Sequence, residues 1–244
     1  MSTNIPRAVI LAAGRGTRMM PLTADCPKSL LPLSGRPLLE HILRGLHDGG
    51  LREAIIVTGY LGEMIEAYFS TGTRVGMRLL YHRQHTQNGT AAALMSVEEL
   101  CGDAPFLLHW GDILIDPVNY RAILDAYACA SPPPTCMVGL NWMDDPAAGA
   151  AVYQQDGRIT RIIEKPPPGT STTHWNSSGI MVLAPRVWPY VRQVQPSPRG
   201  EYEFPDALQQ MIATGELVLP FELQGIWRDI GTPEVLAELE YTYR

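Results

Sequence analysis

The chain has 244 residues, and 19 Lys plus Arg against 25 Asp plus Glu leave a formal charge of −6. With 45% hydrophobic and only 18% charged residues it is neither a disordered nor a coiled-coil chain. Its acidic balance argues against nucleic acid as a partner, and no apolar run approaches the ~20 residues of a membrane span.

In chain order, short β-like apolar runs alternate with amphipathic segments, the pattern of an α/β sheet. A-V-I-L-A at 8–12 reads as a strand buried on both faces, and Gly14 and Gly16 then open a loop. Residues 37–46 have helical spacing and end at Gly49-Gly50; a strand follows at 54–58 and a helix at 61–69. Further strands are expected at 77–81 and 105–110, with a helix over 91–100 between them. The second half is richer in strands, at 135–140, 150–153, 158–163 and 179–183, with helices at 186–193, 204–214 and 233–243. Proline clusters at 132–134 and 166–168 separate no segments able to fold alone, so one domain is expected with a mainly parallel, mixed sheet. The opening M-S-T-N-I-P-R lacks the pattern of a secretory leader, and Cys26, Cys101, Cys129 and Cys136 stand apart with no C-x-x-C. The expectation is a soluble cytoplasmic protein with neither a disulfide framework nor a zinc site.

Of the 19 basic residues only two are lysines, Lys28 in C-P-K-S and Lys165 in E-K-P-P-P. A chain so biased toward arginine keeps lysine where a compact, mobile ammonium is needed, which marks both positions. L-A-A-G-R-G-T-R at 11–18 is a strand ending in small residues, so Leu11, Ala12, Ala13, Gly14, Gly16 and Thr17 let backbone N–H groups approach an anion. Arg15, Arg18 and Lys28 add positive charge beside that loop. The Walker pattern is absent, and Met19 takes the third glycine position of the dinucleotide fingerprint.

On L-A-A-G-R-G-T-R-M-M-P-L-T at 11–23 and P-K at 27–28, the chain resembles the sugar-phosphate nucleotidyltransferases, or nucleoside-diphosphate-sugar pyrophosphorylases. Its other landmarks recur in order along almost the whole chain. The resemblance implies a Rossmann-like three-layer sandwich with a nucleotide-binding half at 1–115, a sugar-phosphate-binding half at 116–232 and a C-terminal helix at 233–244. It makes Arg18 and Lys28 the groups that neutralise the reacting phosphates. Q-H-T-Q-N-G-T at 84–90 is similar to the segment that reads the base, through Gln84, Gly89 and Thr90; an amide can match the imide edge of uracil or thymine. Gln87 is the competing glutamine.

W-G-D at 110–112 puts Asp112 at the carboxyl edge of the sheet, where α/β ligands bind, and W-R-D-I-G-T-P at 227–233 supplies Asp229. The resemblance makes these two carboxylates the ligands of Mg²⁺, a hard cation suited to them. On the sugar side it implies roles for Gly149, Glu164, Lys165 on the sugar 1-phosphate, Asn176 and Glu201. Here the chain departs from the family: Ala148 replaces a tyrosine, N-S-S-G at 176–179 is one residue longer than N-x-G, and Pro205 replaces a threonine. His109 is expected to pack, Met19-Met20 to lie under the loop, and Trp110, Trp142 and Trp175 to serve the core or the rim.

The implied reaction joins a nucleoside triphosphate, with UTP or dTTP favoured, to a sugar 1-phosphate and releases pyrophosphate. Guanylyl or cytidylyl transfer to a heptose phosphate or phosphocholine stays open. So do a glycosyltransferase, a catalytically inactive nucleotide-binding regulator and a homo-oligomeric state.

Overall fold

The computed structural model describes residues 5–198 and 200–242; the expected helix end at residue 243 and the first four residues lie outside them. The first strand, β1 (Arg7–Ala12), shows why the chain builds layers. Ala8 and Ile10 enter one core while Val9 enters another, because successive side chains of a strand point to opposite faces. After a hairpin of β2 (Pro32–Leu33) and β3 (Arg36–Pro37), α1 (Leu38–Asp48) buries Leu39, Ile42, Leu43 and Leu46 at helical spacing. Then follow β4 (Glu53–Thr58), α2 (Gly62–Phe69), β5 (Arg78–Arg83), α3 (Thr90–Met95), α4 (Glu98–Cys101) and β6 (Phe106–Trp110). The expected single helix over 91–100 is thus two, broken at Ser96-Val97.

The second half comprises β7 (Ile113–Ile115), α5 (Val118–Cys129), β8 (Cys136–Trp142), β9 (Ala150–Gln155), β10 (Arg158–Glu164) and β11 (Trp175–Leu183). After them come α6 (Trp188–Val191), α7 (Phe204–Ala213), β12 (Val218–Glu222), β13 (Trp227–Asp229) and α8 (Pro233–Thr242). Among the described residues one nine-stranded sheet runs β10-β9-β11-β6-β1-β4-β5, with β8 on β11 and β12 on β8. Strands β5, β4, β1 and β6 are parallel; β11 turns antiparallel to β6, β8 and β9. Helices α1, α2, α5 and α8 pack on one face, and α3, α6 and α7 on the other. This is the three-layer α/β sandwich. Each fully buried Leu or Ile of these two cores stabilises it by about 1.5–3 kcal/mol.

Other features also depart from the sequence expectations. The helix α5 was unexpected there, although Tyr120, Ile123 and Tyr127 give it a buried stripe. The edge strand β12 tolerates Pro220 because its outer side pairs with nothing in the sheet. Met20 is 55% exposed while Met19 is fully buried, so only one of the pair lies beneath the loop. His109 is fully buried, its Nδ1 donating to the Trp110 carbonyl at 2.7 Å.

Candidate active site

Two short strands set the carboxylates. β13 pairs antiparallel with β7 so that Asp229 stands opposite Ile113, beside Asp112, and the Ile230 N–H donates to the Asp112 carbonyl at 3.0 Å. The Trp227 indole N–H ties this ribbon to β11 through the Ser178 carbonyl at 2.9 Å. Carboxylates 117 sequence positions apart are thereby brought to the carboxyl edge of the parallel strands.

The cations converge on that pair. Lys28 Nζ donates to Asp112 Oδ2 at 2.7 Å, with little of the lysine side chain left exposed. The Arg18 guanidinium packs against Gly231, so that a Cβ there would stand 3.3 Å from it. Asp229 keeps a solvent-exposed edge, yet desolvation by the surrounding protein, and then the Asp112 carboxylate, raise its pKa; Lys28, Arg18 and Lys165 pull it back. Asp229 therefore feels all four of the other charges. Among the described residues no group of three or more His, Cys, Asp or Glu side chains is placed to hold a metal ion. Two hard carboxylates suit Mg²⁺, which fills its remaining positions with water and phosphate oxygens. The ammonium resting on Asp112 shows that this oxygen already attracts a cation.

The glycine-rich loop leaves β1 and is braced from three sides. Thr23 Oγ1 donates to the Gly16 carbonyl at 2.8 Å, while the Ala13 carbonyl accepts from the Tyr60 N–H at 3.3 Å and from Gln87 Nε2 at 2.8 Å. Gln87 thus holds the loop, and Gln84 Nε2 donates instead to Asn88 Oδ1 at 3.2 Å. Gly89 has φ +110° and a Cβ there would come within 2.3 Å of the Tyr202 carbonyl, so glycine is needed for close passage of two backbones. Thr90 accepts at Oγ1 from the Phe204 N–H at 2.9 Å, which stitches the Gln84–Thr90 segment to the segment carrying Glu201.

A cleft of about 1080 Å³ opens beside these residues; Thr90, Gly149, Glu164, Lys165, Asn176, Glu201 and Asp229 all belong to its wall. The extra residue in N-S-S-G is absorbed by a register shift in β11 between Ser177 and Met181. Asn176 is 1% exposed and its amide is committed inside the protein: Oδ1 accepts from the Ala150 N–H, and Nδ2 donates to Asn141 Oδ1 and the Ser177 carbonyl, each at 2.9 Å. A Cβ on Gly149 would stand 2.1 Å from Asn176 Oδ1, which explains glycine at that position. Asn176 therefore shapes the wall from behind. Lys165 sits at φ +44°, a left-handed conformation that costs a non-glycine residue about 1–3 kcal/mol. Its N–H donates to the Gly149 carbonyl at 2.7 Å, and its Nζ lies 3.8 Å from Glu164. Strain at a charged cleft residue is what a ligand-binding role would retain.

Sequence reasoning missed Glu203, Asn141 and Arg228 as wall residues, and Trp142 stands at the rim, one of the two places expected for it. Glu203 was signalled by the second glutamate of G-E-Y-E; the others reach the cleft only through the sheet.

The profile of the nucleotidyl transferase family matches residues 7–244. A UTP–glucose-1-phosphate uridylyltransferase of Haloferax volcanii is 33% identical over 96% of this chain and 95% of its own length. The bifunctional protein GlmU of Methanococcus maripaludis is also 33% identical, but there the chain spans only 51% of the relative. A glucose-1-phosphate thymidylyltransferase of Streptomyces griseus is 28% identical over 96% of the chain and 64% of the relative. Among solved structures, one assigned as a glucose-1-phosphate thymidylyltransferase of Bacillus anthracis superposes with a TM-score of 0.88, at 26% identity over 99% and 96% of the two chains. A UDP-glucose pyrophosphorylase bound to UDP-glucose has the same fold, with a TM-score of 0.86 at 21% identity over 98% of each chain. The chain belongs to the nucleotidyl transferase family, as a sugar-phosphate nucleotidyltransferase.

Proposed function

We propose that the protein couples UTP or dTTP to a sugar 1-phosphate, forming a nucleoside-diphosphate sugar and pyrophosphate. The observation that carries this reading is the gathering of Arg18, Lys28 and Lys165 around the Asp112–Asp229 pair. A phosphate oxygen of the sugar 1-phosphate attacks the α-phosphorus in line, and the bond from that phosphorus to the pyrophosphate oxygen breaks. The nucleophile is an anion at neutral pH, so the site needs no general base. Catalysis then rests on alignment and charge neutralisation. Arg18 and Lys28 hold the triphosphate against the loop Leu11–Thr17, and Lys165 offsets the repulsion felt by the incoming phosphate. Glu164 and Glu201 accept sugar hydroxyls, and Gln84 with Gly89 faces the base. Mg²⁺ held by Asp112 and Asp229 would supply a Lewis acid for the charge that develops on the phosphates.

The Lys28–Asp112 contact has a consequence for loading. Lys28 has two further N–H donors for a phosphate, and a shift of the ammonium toward the triphosphate would free the Asp112 oxygen for a metal ion. The uridylyl or thymidylyl preference rests on Gln84 and on relatives bearing those names. Pyrophosphate release from a matrix of triphosphates against sugar 1-phosphates tests the reading. UTP or dTTP should exceed GTP, CTP and ATP by at least ~10-fold in kcat/KM. GTP or CTP as the best donor overturns the base assignment, and no release from any pair overturns the activity.

A further inference from the structure

Trp142 ends β8 at the rim of the cleft and is 61% exposed, whereas the four other tryptophans are buried or half-buried. Its ring is held. His174 stacks on it at 4.5 Å between ring centroids and 24° between planes, and Trp175 meets it edge-on at 5.4 Å and 89°. His174 is itself fixed, because its Nδ1–H is shared between the Met143 and Asp144 carbonyls at 3.1 and 3.0 Å. Trp142 belongs to the cleft wall and His174 does not, so the histidine backs the indole from outside. The indole nevertheless keeps most of its surface exposed and borders the cleft.

That shelf adjoins the sugar-phosphate side. Asn141, next in the strand, bonds Asn176, whose other end holds Ala150 beside Gly149, and the Gly149 carbonyl receives the Lys165 N–H. The charge of the wall is also one-sided: seven carboxylate residues, Asp144, Glu164 and Glu201 among them, against two basic ones, Lys165 and Arg228. Arg228 lies 3.9 Å from Glu238, which takes up part of its charge. Phosphate is met by the cations grouped at Asp112, whereas the rest of the wall repels further negative charge.

We propose that Trp142 is a specificity-determining residue: the C–H face of a pyranosyl 1-phosphate without further negative charge rests on its indole, and the acidic wall refuses sugars bearing a carboxylate or a second phosphate. The inference rests on the sugar-phosphate reading of the cleft. Pyranose rings present apolar C–H faces that pack on aromatic planes, while carboxylates accept the equatorial hydroxyls.

The test uses α-D-glucose 1-phosphate and α-D-glucuronic acid 1-phosphate as probes, in calorimetric binding and in turnover with the best triphosphate. In Trp142→Ala the Kd and KM for glucose 1-phosphate should rise at least about fivefold, with kcat and the KM for the triphosphate unchanged. Trp142→Phe should recover most of the loss. The uronic acid should bind the unmodified protein at least about tenfold more weakly than glucose 1-phosphate, and Asp144→Asn should narrow that gap. Unchanged glucose 1-phosphate binding in Trp142→Ala, or an equal loss for both substrates, overturns the stacking role. Equal binding of the two sugars overturns the charge filter. If glucose 1-phosphate binds with this pattern but no pair releases pyrophosphate, the activity reading fails and the shelf stands.

Discussion

Strands β5, β4, β1 and β6 form a purely parallel half whose carboxyl ends release the glycine loop, Gln84 and Asp112. Strands β8 to β11 form an antiparallel half with a bulged β11, and it presents Gly149, Lys165 and Asn176. In the first half the glycine loop, Gln84 and Asp112 directly follow strand ends, and the loop is then braced by Thr23, the Tyr60 N–H and the Gln87 amide. In the second, placement comes from a committed amide, a glycine against which that amide packs, and a lysine in a left-handed conformation. A regular parallel sheet brings ligand groups to one edge by topology and braces only the loop that follows, whereas the irregular half depends on such local contacts for the shape of its whole wall. The two carboxylates straddle the boundary: Asp112 follows β6, and Asp229 returns from the far end of the chain on β13.

The largest effect should come from cutting the groups that join the halves. Asp112→Asn and Asp229→Asn keep shape but lose charge, and turnover should fall about 10- to 100-fold or more while thermal unfolding stays cooperative. Full activity at limiting Mg²⁺ in either variant would remove that residue from the metal site. A Mn²⁺ titration followed by its paramagnetic signal should also show weaker binding in both variants.

Bracing in the second half is the next target. Asn176→Ala leaves the buried Ala150 N–H and Asn141 Oδ1 without their partners, which should cost about 1–3 kcal/mol in denaturant unfolding. The KM for the sugar phosphate should rise and that for the triphosphate should not. A stability loss with both constants unchanged would separate Asn176 from the shape of the wall.

A smaller effect should appear in the parallel half, which buries an imidazole on β6. Burial lowers the pKa of His109 to about 4, against the opposing pull of its bond to the Trp110 carbonyl and of Asp112. The folded protein thus disfavours the imidazolium that the unfolded chain accepts near pH 6.5. The stabilising difference is fully present above that pH and is lost as pH falls toward 4. Between pH 7.5 and 5.5 it amounts to about 1 kcal/mol, measurable as a decline in unfolding free energy that His109→Gln should flatten. An unaltered slope in the variant would assign the decline to other groups.

Much of this was legible in the sequence because it depends on local pattern. The strand ending in L-A-A-G, the acid after F-L-L-H-W and the rarity of lysine all mark residues by their immediate neighbours. What escaped depends on distant partners. β7 and β13 are three residues each and acquire meaning only by pairing across more than a hundred positions. β12 hides behind its proline, and the spacing that makes Gln87 a competitor of Gln84 does not reveal that its amide binds the Ala13 carbonyl. The departure N-S-S-G was visible as a spacing, but its resolution as a shift in β11 needs the partner strand. The helix α5 did carry a readable stripe in Tyr120, Ile123 and Tyr127, disguised by residue types that also favour strands.

The central claim is that each half serves one substrate, and the lysines offer the sharpest test, since each half holds one. KM for both substrates should be measured in Lys28→Ala and Lys165→Ala, with arginine at each position as a control. Lys165→Ala should raise the KM for the sugar phosphate at least about tenfold and leave that for the triphosphate within about twofold; Lys28→Ala should impair use of the triphosphate instead, and arginine should rescue neither well because a fork does not replace a point charge. Equal effects of Lys165→Ala on the two substrates would contradict the division.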